Sequence, residues 1–268
     1  DCQGHTIDGD DSQNTDKGIL LSKDYNTIEN CIVQDFLYGI YLSSNHNKIK
    51  NCTLNSNYGY YSTYEGYGLY MSSANYNEII NTTANSNRWY GLYLENSHYN
   101  NFTSITANSN ENYDGIRLAS SDNNNIKDSL VLNNARYGIN IYSSSNNRLD
   151  NNTVCMNNKD IYWSGGTGNS GDNNTCTVAE NWNDTGTTGC TYPCGIITEC
   201  NCSSCDECEA KLNDVCSIVY LTQNIANHSG TCINPNKWHN KIFDCQGHTI
   251  DGDDSQNTDK GILLSKDY

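Results

Sequence analysis

The sequence predicts an all-β solenoid, a right-handed parallel β-helix of about eight coils with a small disulfide-rich cap. Three observations predict it. A tetrad of Gly, aliphatic, any residue, aliphatic recurs along the chain, and Asn-rich text with one apolar residue follows each tetrad. The 25 residues from Asp1 to Tyr25 also return, letter for letter, from Asp244 to Tyr268.

The tetrads are GILL at Gly18, GIYL at Gly39, GLYM at Gly68, GLYL at Gly91, GIRL at Gly115 and GINI at Gly138. Their spacings are 21, 29, 23, 24 and 23 residues. The positions one and three after each glycine are always aliphatic. The position between them varies through Leu20, Tyr41, Tyr70, Tyr93, Arg117 and Asn140. That is strand alternation with one buried face. About 22 residues per cycle allow three short strands and three turns, one coil of a parallel β-helix. A leucine-rich repeat has a similar length but needs a denser Leu pattern and a helical side, which this text lacks. Asn30, Asn51, Asn81 and Asn151 fall at matching turn positions, where amides can bond along a stack. Glycine at each coil start suits a backbone bend.

The pattern resembles the right-handed parallel β-helix repeat family, the fold also used by pectin-degrading enzymes and phage tailspikes. The stretch from Val219 through Gly252 resembles the opening coils of such domains in archaeal surface proteins, which often carry a cysteine-rich lead-in. The resemblance covers about residues 1–178 and 217–268. It implies the fold and leaves function open, because the fold hosts both enzymes and inert fibres.

The long repeat sets a period of 243 residues, from position 1 to position 244. The expectation is therefore an array of near-identical units, with copies continuing beyond this stretch. Residues 1–189 are expected to form the β-helix, and 190–243 a cysteine-rich module between units that leads into the first coils. Residues 244–268 then start the next copy.

Composition fits a thin solenoid core. Hydrophobic residues make up 35% of the chain and its formal net charge is −16, yet 20 Tyr, 14 Cys and only 2 Pro argue against disorder. With 15 basic against 31 acidic residues and no basic cluster, nucleic acid is excluded as a partner. No apolar run reaches the length of a membrane span. The cysteine content predicts an oxidising compartment, outside the cell or at its surface.

The cysteines divide into two groups. Cys31 and Cys52 each lie 13 residues after their coil's glycine. They should stack about 4.8 Å apart, and a disulfide between them is expected. Cys190, Cys194, Cys200, Cys202, Cys205, Cys208, Cys216, Cys232 and Cys245 are expected to staple the cap. Cys202, Cys205 and Cys208 also have the spacing of a zinc or iron–sulfur site, but secreted text favours disulfides. A short helix is expected from Ser203 to Asp214. The odd count per period, 13, predicts at least one free thiol or a bond between units.

Candidate sites are sparse. Asp8, Asp10, Ser12 and Asn14 alternate like a calcium loop without its closing glycine and glutamate, so a solvated turn is the favoured reading. Tyr41, Tyr70 and Tyr93 form an outward column that fits either sugar stacking or ordinary sheet surface. Among the sequons, Asn183 and Asn227 are expected as glycan sites, with Asn101 and Asn173 behind them. The six His and four Arg sit at dissimilar coil positions, and Asp10–Asp11 is the one acidic pair near a coil start. No acid–base constellation is visible, so the expectation is a non-enzyme without cofactor. The expected function is a structural unit of an extracellular filament whose partners are copies of itself. A glycan-binding surface adhesin and a polysaccharide lyase or hydrolase are the alternatives.

Overall fold

The computed structural model describes residues 1–9, 16–59, 65–195, 198–213, 216–234, 241–253 and 260–262. It forms two compact units, Asp1–Cys194 and Gly195–Tyr268.

The first unit is a parallel β-solenoid with three faces. The longest sheet has eight strands: Lys17–Leu21, Tyr38–Leu42, Tyr67–Ser72, Tyr90–Glu95, Ile116–Ala119, Tyr137–Tyr142, Lys159–Ser164 and Ala179–Glu180. All are parallel and in register, so Ile40 pairs with Leu69, Leu69 with Leu92 and Leu92 with Ile116. A second sheet has seven strands, from Thr27–Glu29 to Ser170–Asp172. The third face is thinner and in part held by single bridges such as Thr53↔Thr83 and Thr83↔Thr106.

Register produces the core. Each inward position repeats on the next coil, which stacks Ile49, Ile79, Phe102, Ile126 and Leu149 into one fully buried column. Burying a side chain of this size stabilises the fold by about 2 kcal/mol. At the end of the column Gly171 takes the inward position. A Cβ there would lie 2.8 Å from the ring of Trp182, which is buried across it.

Two further ladders run along the axis. The turn residues Asn30, Asn51, Asn81 and Asn151 have φ of 45–56°, a left-handed conformation that Asn tolerates better than most residues. Asn51 Nδ2 donates to Asn30 Oδ1 and Asn81 Nδ2 to Asn51 Oδ1. Inside, a second set was not foreseen. Asn47, Asn77, Asn100, Asn124 and Asn147 are buried, and the backbone N–H of each of the first four donates to the side-chain oxygen of the next at 2.7–2.9 Å. A parallel line runs through Asn57, Asn87, Asn110, Asn134 and Asn157. These interior amides satisfy backbone donors where the chain leaves a strand. They also explain the coil-start glycines, whose φ is not left-handed. A Cβ on Gly115 would stand 2.7 Å from Asn134 Nδ2 and 2.4 Å from Val131, so the requirement is close approach and not a bend.

The second unit repeats the three-faced arrangement. Cys216–Leu221, Ile225–His228 and Thr231–Ile233 make one coil, which pairs in parallel with Ile242–Asp244, Ile250–Gly252 and Lys260–Ile262. Thr198–Cys202 pairs with the other edge of Cys216–Leu221. The helix Cys205–Asn213 buries Cys205, Cys208 and Leu212. Ser204 Oγ accepts from the backbone N–H of Glu207 at its N-terminus, and the Glu207 carboxylate accepts from the backbone N–H of Ser203. The described residues make about ten turns, against the eight expected.

Six disulfides are present: Cys2–Cys31, Cys155–Cys194, Cys176–Cys190, Cys200–Cys216, Cys202–Cys208 and Cys205–Cys232. The expected Cys31–Cys52 bond is corrected. Ile32 pairs with Thr53, so the two cysteines do occupy neighbouring coils. Cys31 also has Cys2 on its other side, at a Cα separation of 4.8 Å, and bonds there. Cys52 is left as a buried thiol whose pKa burial pushes up. Cys190 and Cys194 were expected in the cap and instead staple the last coils of the first unit. Cys245, also expected in a disulfide, is a free thiol. Six disulfides place the protein outside the cytoplasm, and no described helix is long and apolar enough to cross a membrane.

Candidate functional site

The outer face of the eight-stranded sheet concentrates the unusual side chains. Its central column reads Leu20, Tyr41, Tyr70, Tyr93, Arg117, Asn140, Tyr162 and Glu180, one residue per coil. The neighbouring column, just before the glycines, carries Lys17, Tyr38, Tyr67, Tyr90, Asp114, Tyr137 and Lys159. On the coil of Gly115, therefore, both columns exchange tyrosine for charge.

The tyrosines pack against one another. Tyr67 and Tyr90 are buried, and Tyr38, Tyr70, Trp89, Tyr93 and Tyr113 close around them. Tyr41, Tyr70 and Tyr93 are half-buried, not a freely exposed strip. Successive rings are tilted, Tyr41 to Tyr70 by 47° and Tyr70 to Tyr93 by 58°, which leaves parts of their faces open on the outer side. Burial pushes the Tyr38 hydroxyl up to about 12, and raises Tyr70 further with help from its hydrogen bond to Glu95. These groups stay protonated donors at neutral pH.

At the break in the columns sits a polar centre. The Asp114 side chain is fully covered. Its Oδ1 accepts from the backbone N–H of Tyr137 at 3.2 Å, and its Oδ2 accepts from Asn140 Nδ2 at 2.7 Å and from Arg117 at 3.5 Å. Burial raises its pKa, against the pull of Asn140, Arg117 and Arg136. The Arg117 guanidinium lies 5.9 Å from the ring centre of Tyr93 and 5.3 Å from that of Tyr142, within cation–π range. Arg136 lies 4.6 Å from the ring centre of Tyr137. Asn140 is 1% exposed, and its Oδ1 has no hydrogen-bond partner among the described residues. A buried acceptor left this way is costly.

A second aromatic ladder lies on a different edge. Tyr25, His46, Tyr76 and Tyr99 stack with ring centres 5.0–5.2 Å apart and planes within 7° of parallel. Tyr25, Tyr76 and Tyr99 are 78%, 53% and 49% exposed. Parallel rings this close cover each other's faces, so the ladder offers edges to solvent and not stacking platforms.

The remaining expected sites are placed as follows. Asp8 is exposed and accepts from Gln34; Asp10, Ser12 and Asn14 lie outside the described residues. Asn101, Asn173, Asn183 and Asn227 are all exposed, and Asn183 Oδ1 accepts from the backbone N–H of Gly189. Cys202, Cys205 and Cys208 are in disulfides, so they offer no thiolates to a metal. Cys205, His228 and Cys232 do converge, with ligand atoms within 4.8 Å of one another, but two of the three are bonded to each other. The Asp114–Arg117–Asn140 centre joins residues of two neighbouring coils, which no single stretch of the text places together. Its sign in the text is the one coil with Asp just before the glycine and Arg two after it, where the three preceding coils have Tyr at both positions.

With the geometry in hand, comparison with known proteins gives the following. The family described as "Right handed beta helix region" matches residues 17–182. No curated protein sequence matches the chain. Among solved structures, pectate lyase Pel9A is similar over 97% of this chain and 68% of its own, with 12% identity and a TM-score of 0.52. The periplasmic alginate epimerase AlgG is 18% identical with a TM-score of 0.43. The Dettilon tailspike protein is 14% identical with a TM-score of 0.47. This chain spans 46% of the epimerase and 55% of the tailspike. The expectation of a non-enzyme is corrected by these neighbours. The fold is shared with a pectate lyase, so a solenoid of this form weighs nothing against catalysis.

Proposed function

The chain belongs to the right-handed β-helix family, and on that premise we propose that it engages a polysaccharide along the tyrosine face, with Asp114, Arg117 and Asn140 as the polar centre. The observation that carries this reading is the Arg117 guanidinium, its side chain 17% exposed, set beside the tilted and half-buried tyrosine rings of the column. Sugar rings present axial C–H groups to aromatic faces and hydroxyls to arginine, and the columns supply both at one coil spacing. Asp114 and Asn140 are both covered, so they act by holding Arg117 in place and not by touching the glycan. A surface or extracellular setting accords with the disulfides.

Affinity electrophoresis through gels containing neutral and uronate polysaccharides tests the reading. Retardation by at least one polymer, weakened in Tyr70→Ala, is expected; free migration through every gel overturns it. Release of reducing ends or of unsaturated sugars from the same polymers reports turnover.

The 25-residue identity supports a second reading that is compatible with the first: units of this kind strung end to end in a surface fibre. Sequence on both sides of this stretch tests it, and unique flanking text would refute it.

A further inference from the structure

The two copies of the 25-residue text, Asp1–Tyr25 and Asp244–Tyr268, share the conformation of their opening turn but pair on opposite faces. In both, the third residue and the glycine after it are left-handed: Gln3 and Gly4 at φ of 50° and 80°, Gln246 and Gly247 at 48° and 78°. In both, a histidine N–H closes the turn onto the cysteine carbonyl, at 2.9 Å in the first copy and 2.7 Å in the second.

The first copy bonds to the coil that follows it. Thr6–Asp8 pairs with Ile32–Gln34 and Lys17–Leu21 with Tyr38–Leu42. Cys2 N–H donates to Glu29, Gly4 N–H to Asn30, and the His5 carbonyl accepts from Ile32. The second copy bonds to the coil that precedes it. Ile250–Gly252 pairs with Ile225–His228, and Lys260–Ile262 with Thr231–Ile233. The Thr249 carbonyl accepts from Ile225, and Thr249 N–H donates to Asn224. Thr249 is the counterpart of Thr6, so the named groups used toward one neighbour are not those used toward the other. Side chains agree as well. Ile250 and Ile7 are the same position and join Ile225 on one side to Val33 on the other. Ile262 and Ile19 likewise join Ile233 to Ile40.

We infer that this text is an internal coil with two pairing faces, and that the cysteine-rich segment 195–243 is the opening coil of the β-helix whose next copy follows it, seated on the face that Asp1–Tyr25 presents here without that partner. It rests on the tandem reading only for the existence of a following copy. The disulfides of one period then close with a single thiol left over. Cys245 is the counterpart of Cys2, whose partner Cys31 lies 29 residues on. A second copy of Cys31 would pair with Cys245. Of the 13 cysteines in one period, 12 would be bonded, with the buried Cys52 as the odd thiol. In that step the two thiols lose two protons and two electrons, and a disulfide such as oxidised glutathione takes them up and is cleaved to two thiols.

The test is the full chain lengthened after Tyr268 by a second copy of residues 26–57, oxidised in a glutathione buffer. Peptide mapping without reduction is expected to join Cys245 to the added Cys31, and hydrogen exchange across Ile250–Gly252 is expected to slow about tenfold or more relative to the unlengthened chain. In a lengthened chain with Cys31→Ser in the added copy, Cys245 stays alkylatable while the exchange remains slow, because the ladder does not need the disulfide. Fast exchange at Ile250–Gly252 in both lengthened chains, or a Cys245 that bonds elsewhere, overturns the inference. Either result leaves the tandem reading to be judged by the flanking sequence.

Discussion

Asn100 is the interior amide whose removal says most about what holds the coils together. Its Oδ1 accepts from Asn77 N–H at 2.8 Å and from Asn77 Nδ2 at 3.1 Å, and its Nδ2 donates to the Ala74 carbonyl at 2.9 Å and to Asn124 Oδ1 at 3.0 Å. In Asn100→Ala, Asn77 Nδ2 keeps Ser44 and Asn124 Oδ1 keeps the backbone N–H of residue 100. The buried Asn77 N–H and Ala74 carbonyl lose those partners. Each orphaned group costs about 1–3 kcal/mol, partly offset by freed side-chain entropy, so the loss is about 3 kcal/mol. Urea denaturation reads it as a lower midpoint, and exchange of the Asn77 amide reads it locally, which matters in a solenoid whose ends can open separately. Asn51→Ala, on the exposed ladder, is expected to cost about 1 kcal/mol, from the left-handed backbone that Ala adopts less readily than Asn. If the two variants cost the same, the interior amides are not what anchors the strand exits.

Three other outcomes follow from named groups. Leu92 is fully buried in a core one side chain wide, and Leu92→Ala is expected to cost about 3 kcal/mol in the same urea assay; a loss within error of zero would contradict the packed column. Asp184 closes an amide line by accepting from Asn174, Thr191 and Trp182; burial pushes its carboxyl up, but these donors hold it below 3.8. Because its folded pKa is depressed, the stability it adds is present above the unfolded value and is lost as pH falls through the folded one. The urea-midpoint gap between the parent and Asp184→Ala should accordingly narrow from about pH 7 to about pH 2, and an unchanged gap would count against the carboxylate's role. Cys52, buried and raised in pKa, should resist iodoacetamide in the native chain while the partly exposed Cys245 reacts. Mass spectrometry distinguishes them, and native labelling of Cys52 would refute its burial.

What the sequence revealed was likeness, because stacking in register turns repetition along the chain into neighbours in space. The GIxL tetrads and the Asn30–Asn51–Asn81 turns could be read that way, and Tyr41, Tyr70 and Tyr93 do fall in one column. Three things could not. The interior amides stand in Asn-rich text where every asparagine looks like a turn residue, and only the pairing shows which point inward. Cys31 has a cysteine on each adjacent coil, so spacing alone does not choose between Cys2 and Cys52. Asp114, Arg117 and Asn140 belong to two coils and mark a departure from the repeat, which a search for sameness passes over. The fold's catalytic neutrality is a further limit. The absence of an obvious acid–base pair in the text did not justify excluding an enzyme.

The most direct test of the tyrosine face is calorimetric titration of the chain with oligosaccharides of whichever polymer retards it. Binding is expected in the parent, about tenfold weaker in Arg117→Lys, which keeps the charge but loses the planar fork, and unchanged in Tyr99→Ala on the edge-on ladder. Undiminished affinity in Arg117→Lys together with loss in Tyr99→Ala would contradict the account and move the glycan to the other aromatic edge.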